Sequence, residues 1–156
     1  MRARELADPD FPRVTLSTPA LTAARLLLDS RRHGLLVLDE QGAPHAVLPI
    51  GPLLRKAVPE YVLADPRLAA VVDETHADTL GARLAGLTVR DCLPDARHAP
   101  PVARPDDTLL AVAALITASS CPLVAVVDRG PGPAGDRLLG VISQRHLLDH
   151  LVRAAS

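Results

Sequence analysis

Polar side chains near the end of the chain have the spacing of residues that share one face of a helix. His146, Asp149 and His150 lie at positions i, i+3 and i+4, so one face would present two imidazoles and a carboxylate. Metal sites use such ligands, but there is no glutamate between the histidines and no third, distant ligand to complete a set. We therefore favour a solvated helix face and predict no metal site.

Common patterns of catalytic chemistry are missing from the sequence. It contains no G-x-S-x-G nucleophile turn and no Walker loop. The segment Gly130-Pro131-Gly132-Pro133 is a poor phosphate cradle, because its prolines lack the N–H groups that a phosphate needs. Cys92 and Cys121 lie outside any metal-ligand or redox spacing. We expect a protein that is not an enzyme.

The composition indicates an ordinary globular protein with an aliphatic core. Of the 156 residues 48% are hydrophobic and 22% are charged, and there is one Phe, one Tyr and no Trp. Without aromatic platforms for stacked bases, and with a net charge of −1, the chain is not expected to bind nucleic acid. No apolar segment resembles a signal peptide or a membrane span. We expect a reduced, cytoplasmic protein without direct membrane insertion.

The elements that must position these residues come from an internal repeat. Residues 21–39 align with residues 110–128 at an offset of 89, and after a five-residue insertion the alignment resumes at an offset of 94. Aligned pairs include Leu21 with Leu110, Ala24 with Ala113, Val37 with Val126, Asp39 with Asp128, and Leu53 with Leu147. Such self-similarity fixes the architecture before any local assignment. It predicts two copies of one small α/β unit that share a core.

Each copy is predicted to run strand, helix, strand, strand, helix. Short apolar segments are typical of strands buried on both faces, and hydroxyl or carboxylate residues precede the helices as N-caps. Gly34 is expected to close the first long helix. This predicts an α/β (α+β) fold with repeats at 1–58 and 88–156 and a helical insert at 59–87. The insert is expected to pack on the repeats through one apolar face, formed by Leu68, Val71, Val72, Leu80 and Leu84.

Three kinds of segment resemble motifs of one known family. The family's PVVD strand is resembled by Leu36–Asp39 and by Val126–Asp128. Its GVVT-x-x-D-L-L segment is similar to Gly140–Leu148, and its VRDVM entry is similar to Val89–Leu93. In this order, spacing and duplication they resemble the cystathionine-β-synthase (CBS) domain pair, or Bateman module. The resemblance implies two β-α-β-β-α repeats related by a pseudo-twofold axis. It also implies two clefts that hold AMP, ADP, ATP or S-adenosylmethionine.

The segment that binds phosphate and ribose in that family is only partly retained. Its Ser/Thr-x-x-Asp pattern becomes Ser143-x-x-His146 in the second repeat, where imidazole replaces the carboxylate. An imidazole cannot accept from both hydroxyls of a ribose diol as a carboxylate can. In the first repeat the pattern becomes Pro49-x-x-Pro52, which lacks the hydroxyl, the carboxylate and two backbone N–H donors. We predict one weakened nucleotide cleft and one that is lost.

The resemblance implies further contacts in the surviving cleft. The matching positions are Phe11 as an adenine contact, Arg13 and Arg145 as phosphate partners, and His33 with Gly34, where glycine allows close approach of a base edge. Each has a structural alternative, with Phe11 in the core, the arginines and His33 on the solvated surface and Gly34 as a helix cap. Both interpretations stay open on the sequence alone.

The sequence supports two hypotheses for the function. The first is a stand-alone regulatory module that senses an adenine nucleotide or related adenosyl ligand and modulates a partner protein. The second is a CBS pair that has lost its ligand and acts as a dimerising interaction module, for example for a transporter or metabolic enzyme. A homodimer is expected in either case. A metal-dependent enzyme built on His146 and His150 is disfavoured.

Overall fold

The protein folds as two copies of strand, helix, strand, strand, helix, each preceded by a short lead-in helix. The computed structural model describes residues 1–71, 80–94, 99–132 and 135–156. The elements of the first copy are α1 (Ala3–Leu6), β1 (Arg13–Thr15), α2 (Ala20–Ser30), β2 (Gly34–Leu38), β3 (Pro44–Pro49) and α3 (Ile50–Ala57). Between the copies lie α4 (Glu60–Ala64) and two 3-10 helices, Pro66–Val71 and Leu80–Leu84. The elements of the second copy are α5 (Val89–Cys92), β4 (Val102–Ala103), α6 (Leu109–Ser119), β5 (Leu123–Asp128), β6 (Arg137–Ser143) and α7 (Gln144–Ala155).

The repeat in the sequence is also a repeat in the structure. Helices α2 and α6 both have 11 residues and begin 89 positions apart, while α3 and α7 begin 94 positions apart. Equivalent backbone hydrogen bonds recur as well. The N–H of Leu36 donates to the carbonyl of Pro12 (3.2 Å), and the N–H of Ala125 donates to that of Pro101 (3.0 Å). The predicted α+β fold with two tandem repeats is confirmed.

Helices α2 and α6 both end on a residue in the left-handed conformation. Arg31 after α2 has φ 56°, and Ser120 after α6 has φ 55°. The prediction that Gly34 closes the first long helix is therefore wrong. Gly34 begins β2 instead, where a Cβ would lie 3.1 Å from Cγ1 of Val47 on β3. Its missing side chain serves close packing of strands rather than helix termination.

The strands form two three-stranded sheets, in the orders β1-β2-β3 and β4-β5-β6. In the second sheet β4 runs parallel to β5, with Val102 opposite Ala125. Strand β5 pairs antiparallel with β6, so that Leu123 lies opposite Ser143. The first five residues of β5 are buried, as predicted for a strand covered on both faces. This register places Ser143 at the last position of β6, directly before α7.

The chain divides into two compact units whose boundaries differ from those of the repeats. The first unit comprises Met1–Phe11, Leu38–Ala46 and His98–Ser156, and the second comprises Pro12–Val37 and Val47–Arg97. Two backbone N–H groups of each lead-in helix donate hydrogen bonds to carbonyl oxygens just before the long helix of the other copy, with N to O distances of 2.8 to 3.0 Å. The bonds are Ala3 to Asp107 and Arg4 to Pro105 in the first unit, and Val89 to Thr18 and Arg90 to Leu16 in the second. Each unit therefore holds the lead-in helix of one copy and the following strand and helix of the other.

Aliphatic side chains form the core of each unit. The first unit buries Ala3, Leu6, Ala103, Val112, Ile116, Val124, Val126, Ile142 and Leu147 together. The fully buried side chains of the second unit include Leu27, Leu35, Leu36, Leu48 and Val89. Among the described residues, no helix is both long enough and apolar enough to cross a membrane.

In its described parts, 59–71 and 80–87, the insert forms short helices. Asp65 caps the first 3-10 helix, since its Oδ1 accepts from the N–H of Arg67 at 3.2 Å. Leu84 is buried, but Leu68 is 39% exposed, so the predicted apolar face is wrong for Leu68. A 3-10 helix repeats every three residues, and the spacing of an α-helix does not apply to it. Val72 and the side chains of Val71 and Leu80 lie outside the described residues.

Candidate nucleotide site

The N-terminus of α7 is the part of the predicted site that the fold builds most clearly. Ser143 is the N-cap of this helix of 12 residues, with an extended backbone at φ −87° and ψ 156°. Its Oγ accepts a hydrogen bond from the backbone N–H of His146 at 3.1 Å. The two residues of the Ser-x-x-His segment are therefore held together at the first turn of the helix.

The N–H groups in the first turn of α7 are partly occupied. The N–H of Gln144 donates to the carbonyl of Pro122 at 2.8 Å, and that of His146 donates to Ser143. For the N–H of Arg145, no acceptor is found in the part of the chain that the structure describes. This N–H and the positive end of the helix dipole favour an anion at this position.

The side chains around this helix start differ in exposure. Ser143 and His146 are half-buried, and Arg145 is exposed. A hydroxyl has one donor and two acceptor positions, so Ser143 can cap the helix and still donate its proton to a ligand oxygen. Arg145 adds a guanidinium whose five donors suit a phosphate. The arrangement is suited to holding an anion.

The other predicted site residues belong to different parts of the fold. Phe11 lies in the first unit and is only 6% exposed, as the core interpretation predicts. Arg13 on β1 and His33 before β2 lie in the second unit and are exposed, and Gly34 is buried there. The contribution of these four residues to a ligand site stays a prediction.

The equivalent helix start in the first copy has a different chemistry. Pro49 is the N-cap of α3 and makes no capping hydrogen bond with its side chain. Pro52 lies in the first turn and has no backbone N–H to donate. These two positions present neither a hydroxyl nor a donor to an anion.

The histidine and carboxylate face of α7 makes a local ion pair. Oδ2 of Asp149 accepts a hydrogen bond from Nε of Arg153 at 2.8 Å, one turn further along. Within the described ranges, no three histidine, cysteine or carboxylate side chains are grouped so as to hold a metal ion. On this face Asp149 is exposed and forms an i,i+4 pair with Arg153, while His146 and His150 are half-buried.

Both cysteines are free and buried. Burial raises the pKa of the Cys92 thiol, and the Asp91 carboxylate adds to this while Lys56 opposes it. Burial also raises the pKa of the Cys121 thiol, against a backbone hydrogen bond with Leu123. Because the thiolate is the nucleophilic form, neither cysteine is activated for covalent chemistry at neutral pH.

Sequence reasoning overlooked a G-x-G-x-x-G pattern at residues 130–135. In dinucleotide-binding folds this pattern joins a strand to a helix, whose N-terminus receives the pyrophosphate. Here it connects β5 with β6, which are antiparallel strands. Strand β6 begins at Arg137, two residues after the pattern ends, so the described residues that follow the pattern form a strand and not the helix that would receive a phosphate.

Known proteins share both the sequence and this arrangement of elements. Over 97% of its length the chain is similar to a CBS domain-containing protein of unknown function from Kribbella flavida DSM 17836. The two are 42% identical, 99% of that chain is covered, and the TM-score is 0.84. The chain belongs to the CBS-domain family. A family model for the CBS domain matches residues 89–153, which correspond to the second repeat.

More distant CBS structures share the fold over nearly the whole chain. CBSX2, a CBS-pair protein from Arabidopsis thaliana, is 19% identical with a TM-score of 0.68, over 99% of this chain and 96% of that one. CBSX2 in complex with AMP is 18% identical with a TM-score of 0.64, over 99% and 98% of the two chains. No curated protein matches this CBS chain. The protein is thus a CBS-pair module.

Proposed function

We propose that this CBS pair binds an adenine nucleotide or related adenosyl ligand at the N-terminus of α7 and thereby regulates a partner protein. The observation that carries the proposal is the capped helix start, where Ser143 accepts from the N–H of His146 and the N–H of Arg145 has no acceptor among the described residues. The proposed role is regulatory binding rather than catalysis.

The proposed contacts follow from the donors at this helix start. The N–H of Arg145 and the hydroxyl of Ser143 donate to phosphate oxygens, and the guanidinium of Arg145 adds charge. His146 makes a single hydrogen bond to ribose, in place of the two that a carboxylate would accept. We therefore expect weaker binding than in CBS sites that retain the aspartate.

Among the candidate ligands, AMP is the first to test. A protein of the same fold, CBSX2, has been crystallised in complex with AMP. ADP, ATP and S-adenosylmethionine share the adenosine group and differ in the charge that they place on the helix start. AMP places a single phosphate there, which matches one N–H, one hydroxyl and one guanidinium.

The proposal predicts that AMP raises the melting temperature of the protein. A ligand at about 100 times its Kd stabilises the native state by about 2.7 kcal/mol, which corresponds to several degrees for a chain of this size. In Ser143→Ala the shift caused by AMP should be largely lost. The measurement is thermal unfolding with and without AMP.

The control for this experiment is Thr108→Ala. Thr108 is the N-cap of α6, and its side chain accepts from the N–H of Ala111 at 3.2 Å. Both substitutions remove a capping hydroxyl, so each should cost about 1 kcal/mol in the absence of ligand. Thr108→Ala should keep the full shift with AMP. An AMP shift that survives in Ser143→Ala would contradict the assignment of the site.

A specific observation provides the contact surface that the second hypothesis, a dimerising interaction module, requires. Helix α7 exposes 63% of Leu148, 46% of Leu151 and 56% of Val152, and α6 exposes 80% of Leu110. Apolar side chains that face solvent together mark surfaces for protein contact. If AMP and the other adenosyl ligands leave the melting temperature unchanged, this hypothesis takes precedence.

A further inference from the structure

The second unit contains a cavity. Its lining residues are far in the sequence from the start of α7, which belongs to the first unit. The cavity has a volume of about 850 Å³, within the usual range for ligand sites. Helix α3 and its C-cap residue Val58 form one wall, and Leu63 on α4 forms another. Cys92, Leu93 and Pro94 complete the lining. All lining residues belong to the second unit.

The cavity wall combines apolar and cationic groups. Leu54 and Leu63 are 60% and 45% exposed, so both present apolar surface to the cavity. Arg55 and Lys56 also line the cavity, and no acidic side chain does so among the described residues. In the same described part of the chain, neither cation forms an ion pair with a carboxylate.

The acidic group that acts on Lys56 is already engaged by other donors. Asp91 interacts electrostatically with Lys56. Its Oδ2 accepts hydrogen bonds from the backbone N–H of Thr88 at 2.8 Å and from the Thr88 hydroxyl at 3.1 Å. These bonds cap α5 and keep the carboxylate at the helix start. Asp91 is thus held at the start of α5, and among the described residues it forms no ion pair with Lys56.

The second copy does not repeat this combination of apolar and cationic side chains. At the offset of 94, Leu54 corresponds to Leu148, while Arg55 and Lys56 correspond to Asp149 and His150. Asp149 is paired with Arg153, so that face of α7 presents no pair of cations without a carboxylate partner. Helix α3 ends at Ala57 and is followed by α4, which supplies Leu63, whereas α7 continues to Ala155. The cavity is formed by α3 of the first copy, the insert and the lead-in segment of the second copy, and α7 has no counterpart of it in these elements.

We propose that this cavity binds a small amphiphilic anion, a molecule with an apolar body and one acidic head group. Leu54, Val58, Leu63 and Leu93 contact the apolar body, and Arg55 and Lys56 contact the head group. The head group is a carboxylate, sulfonate or phosphate, since all three are recognised by the same two cations. The site would give the module a second input, independent of nucleotide binding at Ser143.

Two related dyes test the proposal directly. The probe is 1-anilinonaphthalene-8-sulfonate, and its uncharged counterpart N-phenyl-1-naphthylamine has the same apolar body without the sulfonate. Fluorescence titration of the wild type should show saturable binding of the sulfonate. Arg55→Gln/Lys56→Gln should weaken sulfonate binding about tenfold and leave the uncharged dye unaffected, because only the charge recognition is removed. High salt should weaken binding of the sulfonate dye and leave binding of the uncharged dye unchanged.

A matched pair of leucine variants separates this cavity from general apolar surface. Leu54→Ser should weaken binding of both dyes. Leu148→Ser, at the equivalent and similarly exposed position of α7, should leave binding of both dyes unchanged. Ser143→Ala should bind the sulfonate as the wild type does, which keeps this test distinct from that of the nucleotide site. Circular dichroism confirms that each variant is folded. Equal sulfonate affinity in Arg55→Gln/Lys56→Gln, or equal losses in Leu54→Ser and Leu148→Ser, would overturn the proposal.

Discussion

At the residue scale, Ser143 combines a structural bond with a free donor. Its Oγ already accepts from the N–H of His146, which stabilises the start of α7. The hydroxyl proton is not needed for that bond and can be donated to a ligand. A loss of stability in Ser143→Ala is thus expected with or without a ligand site, and only the response to ligand distinguishes the two roles.

A substitution at His146 is predicted to strengthen AMP binding. His146→Asp restores the carboxylate of the family pattern, which can accept from both ribose hydroxyls. We expect AMP affinity to rise about tenfold, since a hydrogen bond to a charged group contributes about 1.5–3 kcal/mol. Isothermal titration calorimetry measures this. His150→Asp, one turn along α7 and also half-buried, is the control and should leave the affinity near that of the wild type. An unchanged or lower affinity in His146→Asp would refute the proposed ribose contact.

At the element scale, the start of the chain is fixed against β6. Asp8 and Val141 form an antiparallel bridge, with N–H to carbonyl distances of 2.9 and 3.1 Å. Gly140 makes this approach possible, because a Cβ there would lie 2.7 Å from the carbonyl oxygen of Asp8. The equivalent residue of the first copy is Ala46. The glycine is therefore required by the packed N-terminal segment and not by the strand itself.

This contact predicts a clear difference between two glycine substitutions. Gly140→Ala should destabilise the protein by about 1–3 kcal/mol, since backbone atoms must move to admit the methyl group. Gly51→Ala, within α3, meets nothing within 4 Å and should be neutral or stabilise by up to about 1 kcal/mol. Urea denaturation gives both values. Equal stability of Gly140→Ala and the wild type would show that the N-terminal segment is not held as described.

Elements with a repeating pattern could be predicted, and those that depend on long-range contacts could not. The offset of 89 placed α2 and α6 correctly because both helices bury equivalent residues, Ala23 and Leu27 in α2 and Val112 and Ile116 in α6. The packing of α1 and α5, each against the other copy, was not predicted. Hydrogen bonds such as that from Ala3 to Asp107 join residues far apart in the sequence. Gly34 was misassigned because Arg31 adopts the left-handed conformation at the helix end, which sequence preference assigns to glycine.

The candidate site was predictable to a similar extent. Ser143 and His146 were identified from the family pattern, and the structure places them together at a helix start. The bond between them and the cavity beside α3 were not predicted. Both depend on the position of backbone and insert atoms, which a motif does not specify.

At the scale of the whole molecule, the exposed face of α7 predicts self-association. Leu148 and Leu151 expose 63% and 46% of their surface, and burying both in a dimer would remove substantial apolar area from water. Sedimentation velocity should show a concentration-dependent dimer. Leu148→Glu/Leu151→Glu should be monomeric, and Leu68→Glu in the insert should dimerise normally. A wild type that is monomeric at high micromolar concentration would contradict the dimer.

The proposed function requires one working nucleotide site per chain, at the start of α7. Isothermal titration calorimetry of the wild type with AMP tests it most directly, alongside Ser143→Asp, which keeps a capping oxygen but repels phosphate. We expect one AMP per chain for the wild type and no binding for Ser143→Asp. Two AMP per chain, or equal binding by Ser143→Asp, would contradict it, and no heat at millimolar AMP would leave the dimerising module as the function.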